Sequence, residues 1–280
     1  MPRKPPFEHA CHRCGTAIRA DEPPDGTNSF CPTCLDQNLR EVERWFLEDY
    51  VYFGAKARST SAAVYLTLFK STDDVRVRKF AGLSIYEQFM FATEDLAMLY
   101  FALRDCDRRS VLDTFLGFEV NPATSNQWQD ELQANDDEVL ERLGLVKEGV
   151  PVGWIETIEP AQAIDALRKA VGDMRAAAHH RTVAGGVMVK SFNKLKHGFL
   201  AAARGDFVMP ATAKREEWVT TLMVNRQLGR LVYGQIEVTE AKLNEFVGTI
   251  ESAAAVSAML ILAYLRSTGW TPSSGAPSPN

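Results

Sequence analysis

The stretch that decides the architecture runs from residue 11 to residue 46: CHRCGTAIRADEPPDGTNSFCPTCLDQNLREVERWF. It holds two Cys-x-x-Cys pairs, Cys11/Cys14 and Cys31/Cys34, sixteen residues apart. Each pair can bend around one ion and offer two thiolates at ~2.3 Å, so two pairs complete a tetrahedral four-thiolate site. Gly15 follows the first pair, where a side chain would crowd the amides that point at sulfur. Pro23-Pro24-Asp25-Gly26 is a turn signal midway between the pairs, so the insert reads as a short hairpin that brings the second pair home. The ligand set points to structural Zn2+, with a redox dithiol or an iron–sulfur site as the alternatives. His9 and His12 lie beside the cysteines and are expected to support the site or face solvent rather than bind the ion.

From Leu35 onward the pattern turns helical. Leu35, Leu39, Val42 and Phe46 share one face at helical spacing, with Thr33 and Asp36 as the expected cap. Ser71-Thr72-Asp73 reads as the cap of a helix reaching about Leu103, rich in Phe, Leu, Ile and Met. A short helix over 108–117 and a polar, acidic one over 127–143 follow. Pro160 opens a helix carried by Ile164, Leu167, Val171, Met174 and Ala178. Ala184-Gly185-Gly186 ends it, and a second basic helix is expected over 187–203. Helices over 214–233 and 239–266 complete the set; Val150-Pro151-Val152-Gly153 reads as a turn or short extended piece, and no convincing period-2 run occurs outside the cysteine module. The fold class is therefore mainly α, a multi-helix bundle with a small N-terminal four-cysteine zinc finger. The expected divisions are 1–36 for the finger, 37–268 for the bundle and 269–280 for a disordered tail, where Ser, Pro and Gly dominate.

The length, 280 residues, allows one or two domains, and 46% hydrophobic with 24% charged residues is ordinary globular composition. Four of five cysteines in metal-like pairs suit a reducing compartment, and Cys106 reads as a packing residue. The segment MPRKPPFEHACHRC holds no apolar run of signal-peptide type. The apolar window Ala253–Leu265 is shorter than the ~20 residues a bilayer needs. These features read as a cytoplasmic chain without a membrane span.

Charge is uneven. The whole chain has a net charge of −5, residues 130–160 hold nine acidic and two basic side chains, and residues 168–215 hold ten basic and two acidic ones. The basic block implies either an anionic partner such as RNA or an internal contact with the acidic stretch. If the helices on either side of Gly185 pack antiparallel, Arg175 comes level with Lys196 and His197, and His179 with Phe192 and Asn193. Arg175, His179, Lys190, Asn193, Lys194 and His197 can then form one basic cluster. Glu87, Glu94 and Asp95 sit on an otherwise apolar helix without a Glu-x-x-His partner. They are expected to pair with cations from a neighbouring helix.

Two resemblances follow from these residues. The cysteine module resembles the knuckles of zinc-ribbon and treble-clef fingers. The helix that begins at the second pair favours the treble-clef form. Residues 1–40 hold five basic and five acidic side chains, so no basic stripe exists for DNA phosphates. The segment Arg175-Ala-Ala-Ala-His179-His180 resembles the Arg-x4-His signature of HEPN-type helical domains, many of which are metal-independent endoribonucleases acting at a dimer interface. The resemblance implies that His180 moves protons and Arg175 neutralises phosphate charge in a homodimer. Five residues turn ~140° around a straight helix, so His179 stays nearer to Arg175 than His180 does. The rival expectation is a non-enzymatic adaptor whose finger and helical face bind a protein partner.

Overall fold

The computed structural model describes residues 7–20, 29–108, 110–117, 122–152, 159–183, 217–225 and 230–269. The chain begins with strands β1 (Phe7–Ala10) and β2 (Ala17–Ala20), then helix α1 (Pro32–Tyr50). A π-helical turn, Val51–Lys56, leads into α2 (Ala57–Ser71) and α3 (Val75–Arg104). Short helices α4 (Val111–Gly117), α5 (Pro122–Glu131) and α6 (Asp136–Arg142) follow. The two-residue strands β3 (Val146–Lys147) and β4 (Val150–Pro151) precede α7 (Pro160–Val183). Strands β5 (Trp218–Asn225) and β6 (Arg230–Glu237) lead to α8 (Glu240–Ser267). The fold is mainly α, with the four cysteines at its N-terminal end.

The centre of the bundle is α3. Ile85, Tyr86, Phe89, Met90, Leu96 and Leu99 are fully buried along it. The helix packs against α2, α8, α4 and α7. Asp74, not the expected Ser71-Thr72-Asp73, caps α3: its carboxylate accepts from the N–H groups of Arg76 and Val77. The first N–H groups of a helix need an acceptor, and the extended backbone of Asp74 aims one at them. An 18-residue window of α8 is apolar enough to cross a membrane, yet half of it is buried inside the fold. There α8 lies against α3, α2 and α7, which is the arrangement of a core helix.

Within the π-helical turn, a Cβ on residue 54 would overlap the Tyr50 ring, so glycine at 54 gives that ring room to fold back over the turn. Tyr50 then sits beside Asp95, whose carboxylate takes Arg58 at 2.6 Å. Burial raises the Asp95 pKa even with Arg58 beside it. Asp95 thus has the neighbouring cation its helix position called for. Glu87 is half-buried and its pKa is raised by that burial.

Two expectations are corrected. Trp218–Asn225 and Arg230–Glu237 pair as antiparallel strands, where a helix over 214–233 was expected, with Trp218 paired to Glu237 and Asn225 to Arg230. Val, Thr and Tyr occur in its arms, and β-branched side chains fit a pleated surface better than a helix. Val219 and Ile236, cross-strand partners, are buried and dock the hairpin's base on the bundle. The acidic segment is two helices, α5 and α6, not one, because Asn135 caps α6 through its side chain and ends the preceding turn. The expected helix over 187–203 lies outside the described residues.

Candidate metal centre

Strand pairing begins ahead of the first cysteine pair. Phe7 pairs with Ala20 and Ala10 with Ala17, so Cys11–Cys14 occupy the tip of the β1–β2 hairpin rather than its start. The tip is tightened by Cys11 N–H donating to the Thr16 carbonyl and Gly15 N–H to the Cys11 carbonyl. Gly15 has φ +73°, a left-handed conformation that side chains resist. His12 N–H donates to the Ser29 carbonyl and ties this tip to the strand of chain entering α1.

The second pair sits on the helix start. Cys31 is the N-cap residue, Pro32 takes the first helical position, and Cys34 lies in the first turn. Thr33 and Asp36 supply no side-chain cap, because the N-cap position belongs to Cys31. Pro32 suits a position whose N–H has no helical acceptor. The four Sγ atoms lie within 4.8 Å of one another. Cys14 Sγ and Cys31 Sγ are 3.7 Å apart. A tetrahedron with ~2.3 Å metal–sulfur bonds has S–S edges of about 3.8 Å, so this edge already has the length a bound ion requires.

The environment favours thiolate at Cys11 and Cys14. Cys31 N–H donates to Cys11 Sγ at 3.3 Å and pulls the Cys11 pKa down to about 6. Hydrogen bonding with Thr16 lowers that of Cys14. Cys34 moves the other way, to about 12, because Cys14 bonds to its protonated form and burial opposes charge. Neighbouring thiols sharing a small space cannot all ionise unless a cation joins them. The start of α1 adds the positive end of a helix dipole. Cys11 and Cys34 are buried and Cys14 is exposed, so one side of the cluster faces solvent. The Nδ1 of His9, two residues before Cys11, is buried without a hydrogen-bond partner among the described residues.

Of the other expected site residues, Arg175, His179 and His180 lie among the described residues, all on α7. Arg175 points at the α5–α6 junction: Nε donates to the Leu132 carbonyl, Nη2 to the Ala134 carbonyl, and Nη1 to Asp136. Arg168 grips Asp137 with two nitrogens at 2.9 Å. The basic and acidic blocks therefore meet inside the chain at these two arginines. His179 is exposed. His180 Nδ1 lies 3.2 Å from Glu245 on α8. Lys190, Asn193, Lys194 and His197 lie outside the described residues.

Two buried polar hubs were not foreseen. Glu43, on the inner face of α1, accepts from the Ser110 hydroxyl, Leu112 N–H and the Tyr264 hydroxyl. It thereby caps α4 and fastens α1 to α8. Its helical position relative to Leu47 was the available signal: one turn earlier on the buried face. Arg181 is 1% exposed and donates to the Met90 carbonyl and Thr93 Oγ1. Desolvation lowers its pKa. Cys106 is half-buried against the core, as a packing cysteine should be.

No protein-family model matches this chain, and no curated protein or solved structure is detectably similar to it.

Proposed function

We propose that this chain is a zinc-binding, non-enzymatic adaptor whose metal-held finger and first helix present an apolar face to a protein partner. The observation that carries the reading is the outer face of α1. Leu35, Val42 and Trp45 are exposed there, and Phe53 follows on the π-helical turn. Trp45 is 66% exposed and Phe53 80%. Single exposed apolar side chains are ordinary, but a row of them containing two aromatics is the composition of interface centres. The row starts one residue after Cys34, so the bound ion fixes the end of the helix that displays it.

Zinc is supported by the donor set. Four thiolates in a tetrahedral space favour Zn2+ among common ions, and such sites hold small modules together. When bound, zinc would be held by Cys11, Cys14, Cys31 and Cys34 and would supply structural cross-linking rather than chemistry. The finger resembles the treble-clef type in placing its second pair on the helix start.

The adaptor reading is tested by tagging the wild type and Trp45→Glu and identifying retained proteins by mass spectrometry at low and high salt. A protein held by wild type at both salt concentrations and lost by Trp45→Glu supports it. Retention that collapses with salt, or is unchanged by Trp45→Glu, contradicts it, because an apolar contact is weakly screened.

A second reading, the metal-independent ribonuclease, is favoured by one contact. Glu245 beside Nδ1 is the partner that orients an imidazole for proton transfer at Nε2. Arg175 weighs against it, since its guanidinium is engaged by Asp136 and two carbonyls. RNA cleavage in EDTA that His180→Ala abolishes and Arg175→Ala spares would support a His180–Glu245 site. No cleavage of a broad RNA panel would end this reading.

A further inference from the structure

Resting on the adaptor reading, we infer that the partner of the α1 face is a second copy of this chain, packed antiparallel through α1 about a two-fold axis beside Arg44.

The first ground is register. With 3.6 residues per turn, Leu35, Val42 and Trp45 span an arc of about 80°. Phe53, about two turns beyond Trp45, returns to the same side. In an antiparallel pair with its axis beside Arg44, Leu35 comes level with Phe53 of the second copy. Val42 comes level with Trp45. Each aromatic then meets an aliphatic side chain, and the row is complementary to itself. An isologous two-fold contact demands that property: residue i meets j and j meets i. A contact with an unrelated protein makes no such demand on the spacing.

The second ground is area. The four side chains are 46%, 40%, 66% and 80% exposed in chain order. With ~150–250 Å² for a fully exposed aromatic and less for Leu and Val, they present on the order of 450 Å² per copy. Two facing copies remove about 900 Å² from these side chains alone. The polar flanks carry the total past the ~1,000 Å² expected of a specific interface. The row is ~27 Å long at about 1.5 Å per residue, long enough for two helices to meet along their length.

The third ground is charge. A face that meets its own copy must not bring like charges together uncompensated. The cations around the row already have partners within the chain. Arg13 binds Glu41 at 2.6 Å, Arg40 binds Asp36 at 3.1 Å, and Arg44 binds Glu48 at 3.0 Å. Arg44, level with the axis but about 100° around the helix from Trp45, lies outside the row and brings its own counter-charge. Asp49 comes level with Leu39 of the second copy, not with another acid. Among the described residues around the row, no strong field of either sign is left to repel an identical face.

Sedimentation velocity of the zinc-loaded full chain across a wide concentration range tests this. The wild type should sediment as a dimer at the upper end, and Trp45→Glu should weaken self-association by on the order of tenfold or more. Register is tested separately. Leu35→Glu and Phe53→Lys should each give monomers. The double variant should recover the dimer, because the introduced carboxylate of one copy then lies level with the introduced ammonium of the other. Zinc content and circular dichroism on every variant confirm that the finger and helices persist. A wild type that is monomeric throughout overturns the inference; a separate protein retained through Trp45 would then still support the adaptor reading. A dimer that Trp45→Glu leaves intact, or that the double variant fails to restore, also overturns it.

Discussion

Helices α1 and α3 show two ways a segment of this chain becomes ordered. In α3, eighteen of thirty residues are buried, and its exposed large apolar side chains, Val75 and Phe80, lie in the first two turns. In α1, only Cys34, Glu43 and Leu47 of nineteen are buried. Core burial at roughly 25 cal/mol per Å² holds α3 without help. The α1 helix depends on a few fixed points: the cysteine cluster at one end, Glu43 in the middle, and Tyr50 and the π-helical turn at the other. A helix tied at points can leave its outer face apolar and free for contact, which a helix at the centre of a core cannot.

That contrast can be broken most severely in α3. Leu96→Ala or Phe89→Ala should lower stability by about 3–5 kcal/mol, the range for large-to-small changes at fully buried sites. Chemical denaturation of each variant checks this. A loss below ~1 kcal/mol would mean that the α3 interior is loosely packed and that the contrast is false.

Glu43→Ala should come next, at roughly 2–3 kcal/mol, because the Ser110 and Tyr264 hydroxyls and Leu112 N–H lose a buried acceptor. The signature distinguishing this from a core defect is regional. Amide exchange should rise in α4 and the middle of α1 while the centre of α3 stays protected. Uniform loosening would contradict the role of Glu43 as a fastening point.

Chelating the metal should act on the finger and the start of α1 alone. Residues 7–20 and the first turns of α1 should exchange faster, and the unfolding midpoint of the bundle should stay within ~4 °C of the loaded protein, a shift worth about 1 kcal/mol. Collapse of α3 protection on chelation would show that the finger and the core fold as one unit.

The smallest effect belongs to the outer face. Trp45→Glu should change stability by less than ~0.5 kcal/mol, as expected of an exposed position, while altering association. A large stability loss would place Trp45 in the fold's own interior.

What was readable in advance follows the range of the interactions. The cysteine site was legible because ligand type and spacing are local chemistry. The core of α3 and the window Ala253–Leu265 were legible because an apolar surface repeats along one helix. The 218–237 hairpin was not. Its apolar residues run together as Leu222-Met223-Val224, which blurs the alternation of a strand, and Arg226-Gln-Leu-Gly229 lacks an Asn-Gly turn signal. The charge blocks left open an anionic partner or an internal acid–base contact, and Arg168 and Arg175 make such a contact. They could not say which arginine meets which acid. Glu43 lies 67 residues from Ser110 and 221 from Tyr264, so its place one turn before Leu47 could hint at burial but not at these partners.

The claim on which the rest depends is that Cys11, Cys14, Cys31 and Cys34 hold one zinc ion that anchors α1. Metal analysis of protein purified under reducing conditions tests it most directly. The account predicts about one zinc per chain in the wild type and little in Cys31→Ser, since three thiolates retain the ion far less well. A cysteine-intact chain that purifies folded and free of zinc or any other metal would contradict it.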